Sequence, residues 1–297
     1  MNFLERYSIN SYSDRTIPDV LRRGIKLLSE ETRAEIGRWV VSQQTSEGGF
    51  PDRSGRCDLY YTLFGLFLAE ALEAATVFPL LKEYAGKMAR VKDHKGIDLY
   101  CTAILVSSLF PGNADEKRYK RAIRKMIKER SAMEDGYTPF LVILALLSLH
   151  DHFGAIKVLN IFEKTVSETE SPCPVVAARQ MVAWLKTEKS GTTDPNVTPS
   201  DASLTGPFHQ FYRPIGGFAA LKNTRDSDLL STAVALFVLR LMNYDIRTIK
   251  PDCFEFISGL YHDGGFAAVT TDNVADVEYT FYGLLALGAL SSSDDEN

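Results

Sequence analysis

Two kinds of helical pattern alternate along the chain. The stretches 29–44 and 119–130 place apolar residues at helical spacing with charges between them, which predicts amphipathic surface helices. Other stretches are apolar runs of about 12 residues rich in leucine, alanine and phenylalanine, too long for strands and suited to helices that are buried on every side. Six alternations of the two kinds predict an all-α protein, an (α/α)6 toroid with an apolar inner ring of helices inside an amphipathic outer ring.

A sequence motif repeats in register with this alternation. Gly-Gly-Phe is followed by a polar stretch, and Asp-x-x-x-Thr then opens an apolar run; the strong copies begin at Gly48, Gly216 and Gly264. Weaker copies begin at Asp98, Glu134 and Cys173. Aligned on the threonine, the six units have Thr62, Thr102, Thr138, Ala177, Thr232 and Thr280 at the shared position. The repeat predicts six helix pairs in a single domain over 1–297, with a long loop at 187–214 and a frayed tail at 291–297.

Acidic residues recur four positions before the threonine. Five of the six residues at this position are acidic and that of the fourth unit is a cysteine: Asp58, Asp98, Glu134, Cys173, Asp228 and Asp276. Each carboxylate, taken alone, predicts an N-cap that satisfies the first amides of the helix. Because the inner helices of a toroid point the same way, the set predicts a ring of carboxylates at one mouth. The tyrosines beside that ring are Tyr60, Tyr61, Tyr100, Tyr137 and Tyr279.

Composition narrows the class of protein. With 45% hydrophobic and 24% charged residues the chain has the composition of a soluble globular protein. The net charge of −5 argues against a nucleic-acid-binding protein. No apolar run reaches the roughly 18 residues of a membrane span, and residues 1–15 carry charges where a signal peptide has its apolar core. We therefore expect a cytoplasmic protein without a transmembrane segment.

The repeat resembles that of a known superfamily. Gly-Gly-Phe followed by Asp-x-x-x-Thr is similar to the repeat of protein prenyltransferase β-subunits and of squalene and terpene cyclases, the prenyltransferase and squalene oxidase repeats. Gln43-Gln44 before Gly48 is similar to the Q/W-type repeat of these proteins. The resemblance covers residues 38–290 and implies an isoprenoid-binding enzyme with an α/α-toroid fold.

The resemblance does not carry over a zinc site. Prenyltransferases bind zinc through an aspartate, a cysteine two residues later, and a histidine before the threonine of the last repeat. Asp228 matches the aspartate, but Leu230 and Tyr279 stand at the other two positions, and neither is a usual zinc ligand. We therefore expect no zinc and assign no metal ligand. Carboxylates at the mouth would suit Mg²⁺ beside a diphosphate.

The resemblance also implies a diphosphate-binding pair. The family places basic side chains six and three residues before the zinc aspartate, where this chain has Lys222 and Arg225. Both side chains suit phosphate oxygens. Tyr61, Tyr100 and Asp98 complete the expected substrate-binding set. Asp228 and Tyr279 would lie nearest the reacting carbon, and Asp276 or Asp58 would remove a proton.

Three functions remain open on the sequence. The leading one is a prenyltransferase-like enzyme that transfers or cyclises a prenyl group without zinc. The second is a terpene cyclase that protonates its substrate with a ring carboxylate, although Asp226-Ser227-Asp228 only approximates the cyclase motif D-x-D-D. The third is a non-catalytic toroid scaffold or lipid-binding module. A helical protein partner, such as prenyltransferase β-subunits have, is compatible with the first and the third.

Overall fold

The computed structural model describes residues 17–113, 115–129, 138–151, 154, 171–190 and 206–291. These residues form eleven helices, which are α1 (Ile17–Leu27), α2 (Glu30–Gln43), α3 (Leu59–Ala71), α4 (Phe78–Arg90), α5 (Gly96–Leu109), α6 (Glu116–Lys128), α7 (Thr138–Ser148), α8 (Cys173–Ser190), α9 (Leu229–Leu241), α10 (Lys250–Ser258) and α11 (Val277–Leu290). Two short antiparallel pairs join β1 (Phe50–Pro51) to β2 (Cys57–Asp58) and β3 (Tyr261–His262) to β4 (Gly265–Phe266). The prediction of a mainly helical chain is confirmed. In the part that the structure describes, no helix combines the length and the apolar composition of a membrane span.

The chain divides into two compact units. Unit 1 consists of Met1–Asp19 and Ala34–Thr165, and unit 2 of Val20–Arg33 and Val166–Asn297. The single toroidal domain expected from the sequence therefore stays a prediction.

In unit 1, helices buried along their whole length alternate with helices that bury one side. Helix α3 packs on α5, and α5 packs on α7. Helices α4 and α6 pack on α5 from outside this series. Helix α5 buries nearly every side chain after its first turn, whereas α6 buries only Tyr119, Ile123 and Ile127. This difference is what the apolar and amphipathic patterns predict.

Unit 2 repeats the arrangement. Helix α8 packs on α9, α9 packs on α11, and α10 lies against α11. Tyr279 is the one residue of α11 that is not buried. The N-terminal helix α1 also packs on α11, and Gly24 and Gly288 bring the two backbones into direct contact.

Some boundaries differ from the sequence prediction. Helix α8 continues to Ser190, and Gly206–Phe208 form a 3-10 turn. The predicted loop at 187–214 is therefore helical at its start and ordered near its end, and its middle, 191–205, lies outside the described residues. Glu134, Tyr137 and the tail beyond Ser291 also lie outside them.

Candidate functional site

The three Gly-Gly-Phe repeats form the same turn. In each, the first glycine has a positive φ, 97° at Gly48, 93° at Gly216 and 93° at Gly264, where side chains other than hydrogen are disfavoured. In each, the phenylalanine N–H donates a hydrogen bond to the threonine hydroxyl. The donor–acceptor distances are 2.9 Å from Phe50 to Thr62, 2.9 Å from Phe218 to Thr232 and 3.1 Å from Phe266 to Thr280. The motif therefore fastens the turn to the first turn of the helix that follows it.

Three of the predicted carboxylates are helix caps. Asp58 accepts from the Tyr61 N–H at 3.0 Å, Asp228 from the Ser231 N–H at 2.8 Å, and Asp276 from the Tyr279 N–H at 2.8 Å. The backbones of these aspartates also pair with the phenylalanines of the preceding turns. The cap is thus one part of the repeated turn, as the spacing predicts.

The second repeat departs from this scheme. Helix α5 begins at Gly96 with Lys95 as the N-cap residue, so Asp98 lies within the first turn, where it is exposed. The prediction of a cap at Asp98 is therefore wrong. The reason is that this repeat has no Gly-Gly-Phe turn to set where the helix begins. Consistent with this, the Thr102 hydroxyl is buried without a hydrogen-bond partner among the described residues.

The N-termini of three helices lie side by side in unit 2. The Cys173 N–H, at the start of α8, donates to the Ala220 carbonyl at 2.8 Å, and the Leu229 N–H, at the start of α9, donates to the Ala268 carbonyl at 2.9 Å. Ala220 belongs to the turn before α9, and Ala268 belongs to the turn before α11. Each helix start is therefore bonded to the turn of the next repeat, which places Cys173, Asp228 and Asp276 at one end of unit 2.

The pKa of the Asp228 carboxyl is perturbed by its surroundings. Burial raises this pKa, and the nearby Ser231 N–H, Ser231 hydroxyl and Ala220 N–H offset only part of that effect. Its second oxygen, Oδ2, and the Ser231 hydroxyl are both buried without a hydrogen-bond partner among the described residues. The Cys173 thiol donates to the Ser231 carbonyl at 3.7 Å, and burial and the nearby Asp228 charge raise its pKa. Because burial raises its pKa, the Asp228 carboxyl keeps its proton to a higher pH than an exposed aspartate does.

The two predicted phosphate-binding residues lie on a loop with a fixed backbone. The loop 219–227 is closed at its base by the Asp228 N–H, which donates to the Phe218 carbonyl at 3.0 Å. The Arg213 guanidinium donates to loop carbonyls at 2.6–3.1 Å. Those acceptors are the carbonyls of Leu221, Lys222 and Thr224. Lys222 is half-buried and Arg225 is exposed, so the loop presents two cations just before α9.

The other predicted site residues have different surroundings. Asp276 is buried. Tyr61 and Tyr279 are half-buried, and their N–H groups donate to the capping carboxylates of Asp58 and Asp276. Tyr100 is fully buried, and its hydroxyl donates to the Met126 sulfur at 3.8 Å. Asp58, Asp98, Tyr61 and Tyr100 belong to unit 1, whereas Lys222, Arg225, Asp228, Asp276 and Tyr279 belong to unit 2. The structure thus brings the second group together within one unit.

The described residues around Asp228 do not match the zinc ligands of the resembled family. Asp228 has Leu230 and Tyr279 where the resemblance would need cysteine and histidine, and the described residues contain no cluster of three or more His, Cys, Asp or Glu side chains that could hold a metal ion.

Sequence reasoning missed two contributors to this end of unit 2. Arg213, which organises the cationic loop, precedes the Gly-Gly-Phe motif, and the basic residue three positions before Gly216 was the available signal. Ser231 lies inside an apolar run, where a single serine does not indicate a functional residue.

Comparison with known proteins adds no family to this description. No protein-family model, no curated protein sequence and no solved structure matches the chain.

Proposed function

We propose that the protein is an isoprenoid-binding enzyme that binds a prenyl diphosphate and transfers or cyclises the prenyl group without zinc. The observation that carries the proposal is the loop 219–227, whose backbone is fixed by Arg213 and which presents Lys222 and Arg225 just before α9. A guanidinium binds phosphate oxygens in pairs and an ammonium adds a point charge.

The fold that goes with this proposal is the (α/α)6 toroid of six helix pairs. Two features support it. The Gly-Gly-Phe turn has one geometry in both units, and the buried helices follow one another in chain order, α3–α5–α7 in unit 1 and α8–α9–α11 in unit 2. A repeated helix pair with one buried member is the element from which such a ring is built.

In the proposed reaction the bond between prenyl C1 and oxygen breaks, and its electron pair leaves with the diphosphate. Lys222 and Arg225 would neutralise the charge on the leaving group, with Mg²⁺ as an additional candidate. The allylic cation is captured by an acceptor nucleophile or by an alkene of the same chain. A proton is then lost to a carboxylate, for which Asp276, with Tyr279 beside it, and Asp58 are the candidates. Buried aromatic rings of the inner helices, such as Phe237 and Phe281, are of the type that stabilises such cations.

Replacing Lys222 and Arg225 together by alanine is expected to weaken binding of farnesyl and geranylgeranyl diphosphate at least 100-fold, because two charge-assisted contacts are lost. Isothermal titration calorimetry with and without Mg²⁺ measures this. Lys26 and Arg247 form the matched control, since both are exposed and belong to unit 2 but to other segments. Equal affinity of the two double variants would contradict the assignment. No binding to the unsubstituted protein would favour the scaffold or lipid-binding module, with or without a helical protein partner.

One observation favours the cyclase alternative. A cyclase needs a carboxylic acid that keeps its proton until an alkene is bound, and general acids of this kind are tuned by burial. Asp228 has a pKa raised by burial and an oxygen without a partner among the described residues. In this second candidate function, the Asp228 proton is transferred to a terminal alkene of an isoprenoid without diphosphate.

Asp228→Asn tests this candidate. Asparagine caps helices as well as aspartate does, so the fold is retained while the acid is removed. Product formation from linear isoprenoid alkenes, followed by gas chromatography and mass spectrometry, should be lost. As the pH rises above the ordinary value of 3.8, the unfolded state loses the Asp228 proton before the folded state does, so the contribution of Asp228 to the unfolding free energy falls. The variant should lack this fall and be at least as stable at pH about 7. Undiminished turnover, or a variant less stable at that pH, would contradict the assignment.

A further inference from the structure

Charge is distributed unevenly along the chain. The segment 82–128, which contains most of α4 and all of α5 and α6, has twelve basic and five acidic side chains and a net charge of +7, in a protein whose net charge is −5. The other residues therefore carry −12. Such segregation produces a surface potential of opposite sign to that of the whole protein.

Most cations of this segment are not neutralised. Three ion pairs involve it among the described residues, Arg118 with Asp115 at 3.7 Å, Arg124 with Asp151 at 2.7 Å and Lys125 with Glu129 at 3.8 Å. Eight exposed cations of the segment form no ion pair within the described part of the chain, and we call this set the basic face: Lys82, Lys87, Arg90, Lys92, Lys95, Lys117, Arg121 and Lys128.

A cavity lies within the basic face. The Arg118 guanidinium of α6 donates to the Ala89 carbonyl of α4 at 2.6 Å, which joins the two helices. Beside this contact is an open cavity of about 510 Å³, lined by Arg90, Lys92 and Arg118 and by the ring of Phe110. Because Arg118 pairs with the lining carboxylate of Asp115, Arg90 and Lys92 give the lining its net positive charge, which favours an anion.

Aliphatic side chains are interleaved with the cations. Val91 is 44% exposed between Arg90 and Lys92, and Ile97 is 38% exposed two residues after Lys95. Cations beside exposed aliphatic groups suit a bilayer interface, where phosphates meet the cations and the aliphatic groups reach the acyl boundary. Nucleic acid would instead be expected to stack on exposed aromatic rings, and the aromatic residue of α6, Tyr119, is buried.

We propose that the basic face docks on a bilayer containing anionic phospholipid, with a headgroup phosphate in the cavity between α4 and α6. The surface belongs to unit 1, whereas the proposed diphosphate loop belongs to unit 2. This proposal does not rest on the proposed function, and its test uses vesicles that contain no isoprenoid diphosphate.

The first experiment is co-sedimentation of the full chain with vesicles. Equal parts of phosphatidylglycerol and phosphatidylcholine should retain the protein, whereas phosphatidylcholine alone should not. Raising the salt from about 0.1 M to about 1 M should release it, because the screening length falls from about 10 Å to about 3 Å. Equal retention on both vesicles, or on neither, would overturn the proposal.

The second experiment assigns the binding to the basic face. Each surface cation is expected to contribute about fivefold to vesicle affinity, so changing Arg90, Lys92 and Arg121 to glutamine should weaken binding about 100-fold. Glutamine at Lys26, Arg33 and Arg247 of unit 2 changes the net charge equally and should leave affinity within about threefold. Thermal unfolding checks that both variants fold. Equal loss in the two triple variants, or binding of free inorganic phosphate without vesicle binding, would overturn the membrane assignment.

Discussion

Gly288→Ala is expected to lower the unfolding free energy by about 3 kcal/mol or more, equivalent to about 5 °C in melting temperature for a chain of 297 residues. A methyl group on Gly288 would overlap the Val20 carbonyl of α1, and one on Gly24 would overlap the Leu284 carbonyl of α11. Because backbone rather than flexible side chain occupies the space, the two helices must separate and lose the contacts that they bury.

A glycine of α2 provides the control. Gly37 has no atom within 4 Å of the position its Cβ would occupy. Gly37→Ala should therefore raise stability by about 0.5–1 kcal/mol, because alanine has the higher helix propensity. Both variants are compared by thermal unfolding. An unchanged melting temperature for Gly288→Ala would show that α1 does not approach α11 so closely.

Gly48→Ala is the second large effect. Gly48 has a φ of 97°, and a Cβ there would overlap the Leu80 carbonyl of α4. Backbone strain of about 1–2 kcal/mol is added to the overlap, so we expect a loss of at least about 3 kcal/mol in unfolding free energy. Gly216 has the same geometry against the Asp252 carbonyl, and its substitution should have the same consequence in unit 2.

Gly55, in the hairpin of β1 and β2 that follows Gly48, distinguishes backbone strain from steric overlap. It has a φ of 82°, but its Cβ position has no atom within 4 Å. Gly55→Ala should lower the unfolding free energy by only about 1–2 kcal/mol. The difference between the two variants' losses in unfolding free energy, measured by thermal unfolding, is therefore the cost of the steric overlap at Gly48. Equal losses would show that the turn does not press against α4.

Much of the local structure could be predicted because it depends on neighbours in the sequence. The Asp-x-x-x-Thr spacing predicted the caps at Asp58, Asp228 and Asp276, whereas the positive φ of Gly48 and the hydrogen bond from the Phe50 N–H to the Thr62 hydroxyl were found only in the structure. The apolar and amphipathic patterns likewise specify which helices are buried. Where the motif is incomplete, as at Asp98, the same reasoning placed the helix start incorrectly.

The sequence by itself determined a mainly helical protein in which buried and amphipathic helices alternate, and it identified Lys222, Arg225 and Asp228 as candidates. Only the tertiary structure decided that Arg213 fixes the cationic loop, that Asp228 is half-buried with its Oδ2 unpartnered among the described residues, and that α1 packs on α11. The physical reason is distance along the chain. Burial and long-range hydrogen bonds depend on which segments meet in space, whereas propensity, capping and periodicity depend only on near neighbours.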